Sequence, residues 1–156
     1  LTNPAGALRQ GMGVADPSLR NLVARALKEI GHLRALVVYG DPGMDEISPS
    51  GVTHVSELTD SEIVEYQVTP EQFGLEPATL ESLAGGDPGD NALVIQNVLK
   101  GKEGGSRTAV VLNAAAAIFV AGQSASLREG VRLAESSIDS GAASDALERL
   151  KIASSL

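Results

Sequence analysis

Two carboxylates stand side by side at Asp45 and Glu46, inside the stretch RALVVYGDPGMDEIS that runs from Arg34 to Ser48. Hard oxygen donors of this kind suit magnesium, which takes one or two protein carboxylates and fills its other positions with water and substrate phosphate oxygens. Most adjacent acids in loops are solvated surface, so the pair signifies chemistry only if the chain holds it in a special place. The preceding residues supply that place. Ala35 to Tyr39 is a short run of β-branched and aromatic residues, which reads as a buried strand. Gly40-Asp41-Pro42-Gly43 then ends the strand in a turn. In open α/β sheets, ligands bind beyond the carboxyl ends of the strands. A loop need not alternate its side chains as a strand does, so both acids can face one point.

Little else in the chain competes for a chemical role. His32 falls in a helix-to-strand loop and His54 in a hairpin strand, and neither belongs to a catalytic pattern. There is no cysteine, which removes disulfides and thiolate metal sites. No serine sits in a nucleophile elbow, and neither a P-loop nor a strand-linked dinucleotide fingerprint occurs. The chain offers one candidate metal or phosphate site and no evident general base. Asn113, alone in an apolar segment, reads either as a satisfied buried amide or as a polar group facing a ligand pocket.

The elements that position the pair follow from pattern. Leu8 to Val14 alternates Leu8, Gln10, Met12 and Val14 with Arg9, Gly11 and Gly13, a strand whose small-residue face lets another backbone approach. Asp16 is the expected N-cap of a helix with Pro17 in its first position, an apolar stripe at Leu19, Leu22, Val23, Ala26, Leu27 and Ile30, and Gly31 as its cap. With the Ala35 strand this makes a βαβ unit. Val52 to Leu58 and Ile63 to Val68 read as an antiparallel hairpin joined by Thr59-Asp60-Ser61-Glu62, with Ser56, Glu57, Glu65 and Gln67 marking a partly solvated edge. Thr69-Pro70-Glu71-Gln72 is a capping box opening a short turn. Helices are expected over 77–83, from Asp87 to Gly101 with a stripe at Ala92, Ile95, Val98 and Leu99, and over 107–121, apolar nearly all round and so buried. Two more follow, from a second capping box at Ser126 to about Ser140, and from Ala142 to Ser154 carrying Leu147, Leu150 and Ile152. The class is α/β: a βαβ unit, an antiparallel hairpin and C-terminal helices.

Composition bounds the rest. The chain has 156 residues, enough for one domain. Only 3% are aromatic against 43% hydrophobic, so the core must be built from Ala, Val, Leu and Ile. A formal charge of −8 argues against nucleic acid as a partner, because phosphate contacts need a basic face. The longest nearly apolar run, Ala109 to Ala121, is too short to span a bilayer. The opening residues do not read as a signal peptide. A soluble cytoplasmic protein is the default expectation, and a start on Leu1-Thr2-Asn3-Pro4 reads as the interior of a longer protein.

These residues also carry a family resemblance. Leu1-Thr2-Asn3-Pro4-Ala5-Gly6 with Gly13-Val14, then Val37-Val38-Tyr39-Gly40 and Gly43-Met44-Asp45-Glu46-Ile47-Ser48, resemble the anthranilate phosphoribosyltransferase family. Phe73-Gly74-Leu75, Gly85-Gly86-Asp87 with Asn91-Ala92, Leu112-Asn113-Ala114-Ala115 and Arg128-Glu129-Gly130 fit it in order and spacing, so the resemblance covers essentially the whole chain. It implies the large α/β domain of a nucleoside-phosphorylase-like fold. It implies transfer of phosphoribosyl from phosphoribosyl pyrophosphate to the amine of anthranilate with release of pyrophosphate, in tryptophan synthesis. It implies Mg2+ held by Asp45 and Glu46 on the pyrophosphate side, and a homodimer when complete.

The family's Gly-rich pyrophosphate loop, its Lys-His-Gly-Asn segment and its anthranilate-binding arginine precede the LTNP motif and do not occur in this chain. Residues 1–156 are therefore expected to form the C-terminal portion of the α/β domain, supplying one side of the site and inactive alone. Two other readings remain. A pyrimidine nucleoside phosphorylase-like enzyme is disfavoured by the Asp45-Glu46 loop, since phosphorolysis of a nucleoside offers no pyrophosphate to chelate. A non-catalytic, nucleic-acid-binding paralogue is disfavoured by the charge.

Overall fold

The computed structural model describes residues 3–60 and 62–154; Leu1 and Thr2 of the opening motif and Ser61 of the hairpin turn lie outside the described residues. A four-stranded sheet runs in the order β1 (Arg9–Gly13), β2 (Arg34–Gly40), β3 (Thr53–Thr59), β4 (Glu62–Val68). β1 and β2 are parallel neighbours, and the remaining pairs are antiparallel, with Thr59 opposite Glu62 at the hairpin. The expected βαβ unit and hairpin are thus both present. The crossover is α1 (Leu19–Glu29), followed by Gly31 at φ +89, a left-handed residue that closes the helix as glycine does most easily.

Strand alternation sends β2 side chains to two cores. Leu36 and Val38 join the larger one, formed with α3 (Gly105–Val120) and α4 (Leu127–Asp139). Ala35 and Val37 join the smaller one, with Ala24 and Leu27 of α1. α2 (Pro88–Leu99) touches the larger core through Val98, and α5 (Ala142–Ser154) closes the chain. Arg9 donates to the Val120 carbonyl at 3.2 Å, and Arg34 to that of Phe119 at 3.1 Å. Arg34 also lies 4.0 Å over the Phe119 ring. Two cations thus cap the negative end of α3 and pin it to the first residues of β1 and β2. α3 therefore runs back along the strands. Seven residues before Val120, about 10 Å of helix, comes Asn113; four residues of β1, about 13 Å of strand, lead from Arg9 to Gly13. Asn113 is placed at the carboxyl ends of the parallel strands.

Several expectations are corrected. α1 begins at Leu19 with Ser18 as its N-cap, because the Asp16 carboxylate is engaged by the Ser18 amide (2.8 Å) and hydroxyl (2.7 Å) in a tight turn before the helix. Its buried residues are Ala24 and Leu27, whereas Leu19, Leu22 and Ile30 of the expected stripe are exposed. The helical period is present, but the sheet covers only one flank of the stripe. In α2, Val98 is buried and Ile95 exposed, since only the last turn reaches the core. The segment 77–83 is helical only as a 3-10 turn, Leu80–Leu83, capped by Thr79. Ser56 and Glu57 are buried, not solvated. Ser56 donates to Glu65 (2.9 Å), and Glu57 accepts from Tyr66 (2.8 Å) and faces Arg34. Burial, then the bond to Glu57, pushes the Tyr66 phenol above its ordinary pKa. Of the hairpin, only β4 is solvated. On α5, Leu150 and Ile152 face solvent. α3 has the longest set of buried residues, as expected, except that Val110 and Ala117 are open.

Candidate metal and phosphate site

The turn after β2 is fixed by its own backbone. Gly40 and Met44 exchange hydrogen bonds of 2.9 and 2.7 Å, and Asp41 N–H donates to the Val52 carbonyl at 2.8 Å. Ser48 closes the far end: its amide donates to Thr53 Oγ1 (2.8 Å) and its hydroxyl to the Asp41 carbonyl (2.7 Å). Ser48 and Thr53 are fully buried, so the loop that carries Asp45 and Glu46 grows from a rigid base. It lies hard against two strand glycines. A Cβ on Gly13 would fall 1.6 Å from the Asp45 carbonyl oxygen, and one on Gly40 would fall 2.7 Å from that of Glu46. The close approach read from the glycine face of the first strand is therefore real, and the backbone approaching it is the carboxylate loop.

α3 supplies the third support. Asn113 Oδ1 accepts from the Ile47 amide at 2.9 Å, and Nδ2 lies 3.1 Å from the Ile47 carbonyl, 3.3 Å from Glu46 Oε2 and 3.0 Å from the Ala109 carbonyl. The two readings of Asn113 merge, since the amide is hydrogen-bonded and also lines the pocket. Asp45, Glu46 and Asn113 share a cavity of about 300 Å³ with Gly11, Gly13 and Ala117. The only charged side chains on its wall are the two acids. Burial, and then the adjacent Asp45, raises the pKa of Glu46 above the ordinary glutamate value. An anionic pair with that strain suits a cation.

Magnesium fits this donor set. No group of three or more His, Cys, Asp or Glu that could hold a metal occurs among the described residues. Two protein carboxylates leave most of an octahedron to water and phosphate oxygens, which is how magnesium is commonly held with phosphorylated substrates. The histidines lie elsewhere: His32 bonds Gln10 (3.1 Å), and His54 contacts Asp41 (3.3 Å) and packs beside Tyr39. The ties from Gly13, Gly40 and Asn113 to the loop were not read from sequence. The available signals were a lone Asn in an apolar helix and glycines near strand ends.

A carboxylate loop at the end of a parallel strand pair is the candidate site of an α/β protein, and comparison supplies its family. Residues 1–144 match the family described as glycosyl transferase family, a/b domain, and the chain belongs to that family. Among its relatives, anthranilate phosphoribosyltransferase of Methanobrevibacter smithii is 49% identical over 149 residues, covering 96% of this chain and 44% of the relative. The enzyme of the same name from Rubrobacter xylanophilus is 51% identical over 150 residues, with the same coverage of 96% and 44%. The crystal structure of the Thermus thermophilus enzyme superposes with a TM-score of 0.80 at 41% identity, covering 88% of this chain and 40% of that one. A Saccharomyces cerevisiae anthranilate phosphoribosyltransferase in complex with PRPP and Mg gives 0.80 at 30% identity over 90% of this chain and 41% of its own. The resemblance read from the motifs is thereby borne out, and the chain spans less than half the length of these relatives. No helix among the described residues is long and apolar enough to cross a membrane.

Proposed function

We propose that the chain is the C-terminal portion of the α/β domain of an anthranilate phosphoribosyltransferase, with Asp45 and Glu46 holding Mg2+ beside the pyrophosphate of phosphoribosyl pyrophosphate. The observation that carries this reading is the carboxylate pair anchored at the ends of β1 and β2, in a chain about half identical to enzymes of that name. When bound, magnesium neutralises the charge that grows on the departing pyrophosphate. The two acids supply the negative charge that fixes the cation on one side of the ribose, and Gly13 and Gly40 let the loop lie close enough to do so. The amine of anthranilate attacks the ribose carbon as pyrophosphate leaves. An aromatic amine needs little basic help in that attack.

The relatives are more than twice as long, so the anthranilate pocket and the remaining pyrophosphate contacts are assigned to polypeptide outside residues 1–156. Homodimeric assembly, implied by the family resemblance, and a cytoplasmic location, the default expectation from composition, belong to the same proposal. The test is steady-state kinetics of the full-length enzyme across a magnesium titration, with melting curves alongside. Asp45→Asn and Glu46→Gln should each lower turnover by roughly 10²–10³, the usual cost of one preorganised electrostatic contact. The double variant should be less than additive, because both residues act through one ion. Residues 1–156 alone should form no product. Normal turnover of the double variant at low magnesium would refute the metal role.

A further inference from the structure

Resting on that reading of Asp45 and Glu46, we infer that Asn113 is the positioning residue of the carboxylate loop, setting where the Glu46 carboxylate points and so governing divalent-metal affinity. Its amide engages both backbone groups of Ile47, accepting from N–H at 2.9 Å and lying 3.1 Å from the carbonyl, which fixes the orientation of the two peptides flanking that residue. The same Nδ2 reaches Glu46 Oε2 at 3.3 Å, leaving the other carboxylate oxygen for a cation. An amide nitrogen has two protons, and here it faces three acceptors, the third being the Ala109 carbonyl at 3.0 Å. The hold on Glu46 is thus shared and sensitive to geometry. Among the described residues, no other side chain hydrogen-bonds Asp45, Glu46 or Ile47.

The helix beneath is a firm support, since Arg9 and Arg34 anchor its C-terminus. Nothing in helix packing asks for asparagine at 113. The residue is a poorer helix former than the alanines around it, and burying an amide is costly unless it is bonded. The loop contacts account for it.

The test uses the full-length enzyme and Mn2+ as the probe, with its dissociation constant measured calorimetrically in the presence of phosphoribosyl pyrophosphate. Asn113→Ala removes every contact. Asn113→Ser is one bond shorter, so it loses the loop but can still bond the carbonyl four residues back, which guards against a variant that fails to fold. Both should bind Mn2+ roughly 10–100-fold more weakly, the usual effect of removing a partner that orients a ligand. The apparent magnesium activation constant should rise in parallel while KM for anthranilate stays within about twofold, since the anthranilate pocket is separate on this reading. Val131→Ala, a buried change on α4 away from the loop, serves as the control for general loosening. Unchanged Mn2+ affinity in Asn113→Ser, or an equal loss in Val131→Ala, overturns the inference. Glu46→Gln, run alongside, separates the two readings. If it leaves Mn2+ binding intact, the metal role of the pair has failed. If it weakens binding and the Asn113 variants do not, only the role of Asn113 has failed.

Discussion

On one face of the sheet, Leu36 and Val38 disappear beneath α3, which is itself backed by α4; on the other, Val37 meets Ala24 and Leu27 of α1 while Leu19, Leu22 and Ile30 of the same helix face water. The first face gathers fifteen buried residues into one cluster and the second six, so this chain finishes only the first on its own. The carboxylate loop belongs to the finished face, held by Asn113 from above and by Gly13 and Gly40 from below. α1 packs over β2 and β3, while β1 stands at the edge of the sheet. Holding a site loop in one geometry calls for rigid supports on every side. The exposed apolar flank of α1 contributes no residue to the wall of the carboxylate cavity.

The sharpest way to break this comparison is at Gly13. In Gly13→Ala, the new methyl cannot coexist with the Asp45 carbonyl 1.6 Å away, so the loop must move. Turnover of the full-length enzyme should fall by about 10²–10³, as if a carboxylate had been lost. Turnover near normal would mean that the loop's position does not matter. Next in size is Phe119→Ala, which removes a buried ring and its stacking on Arg34. Denaturant unfolding should show about 3–5 kcal/mol of lost stability.

Leu22→Ala is the counterpart on the other face. Leu22 is 63% exposed, so in the 156-residue chain the change should stay within about 0.5 kcal/mol. In a longer chain that covers this flank, the same substitution should cost about 2 kcal/mol or more. A small effect in both would show that the flank faces water in the complete enzyme too. The smallest effect is expected at Glu65, on the solvated side of β4. The Ser56 hydroxyl, then the Asn21 side chain and the charges of Arg20 and Arg25, hold its carboxyl below the ordinary glutamate pKa. A lowered folded-state pKa contributes stability above the unfolded value and loses it as pH falls through the folded one. Glu65→Gln should therefore be slightly less stable than the parent at neutral pH, by about 0.5 kcal/mol as for exposed pairs. The two melting curves should converge as pH drops below about 4. A gap that widened in acid would reverse the assignment.

The amino-acid sequence by itself determined the elements and nominated the carboxylate pair as a candidate site. Period-2 and period-3.6 patterns placed the four strands and five helices within a few residues, because those patterns report local geometry and one-sided burial directly. Turn residues at Gly40-Asp41-Pro42-Gly43 placed Asp45 and Glu46 on a loop after a buried strand, and residue type alone nominated magnesium. Which apolar side chains are covered was decided by tertiary structure. Leu22 and Leu27 satisfy the same helical period, yet only Leu27 meets the sheet, since periodicity marks a stripe without saying how wide its partner is. Polar burial was decided there as well. Ser56 and Glu57 look like solvent-facing residues until Glu65, Tyr66 and Arg34 arrive beside them from neighbouring strands. The supports of the site belong to the same class. Gly13 and Asn113 stand 32 and 67 residues from Asp45 and Glu46 respectively. The parallel pairing of β1 with β2 and the return of α3 along them bring these residues together, and no local pattern encodes either contact.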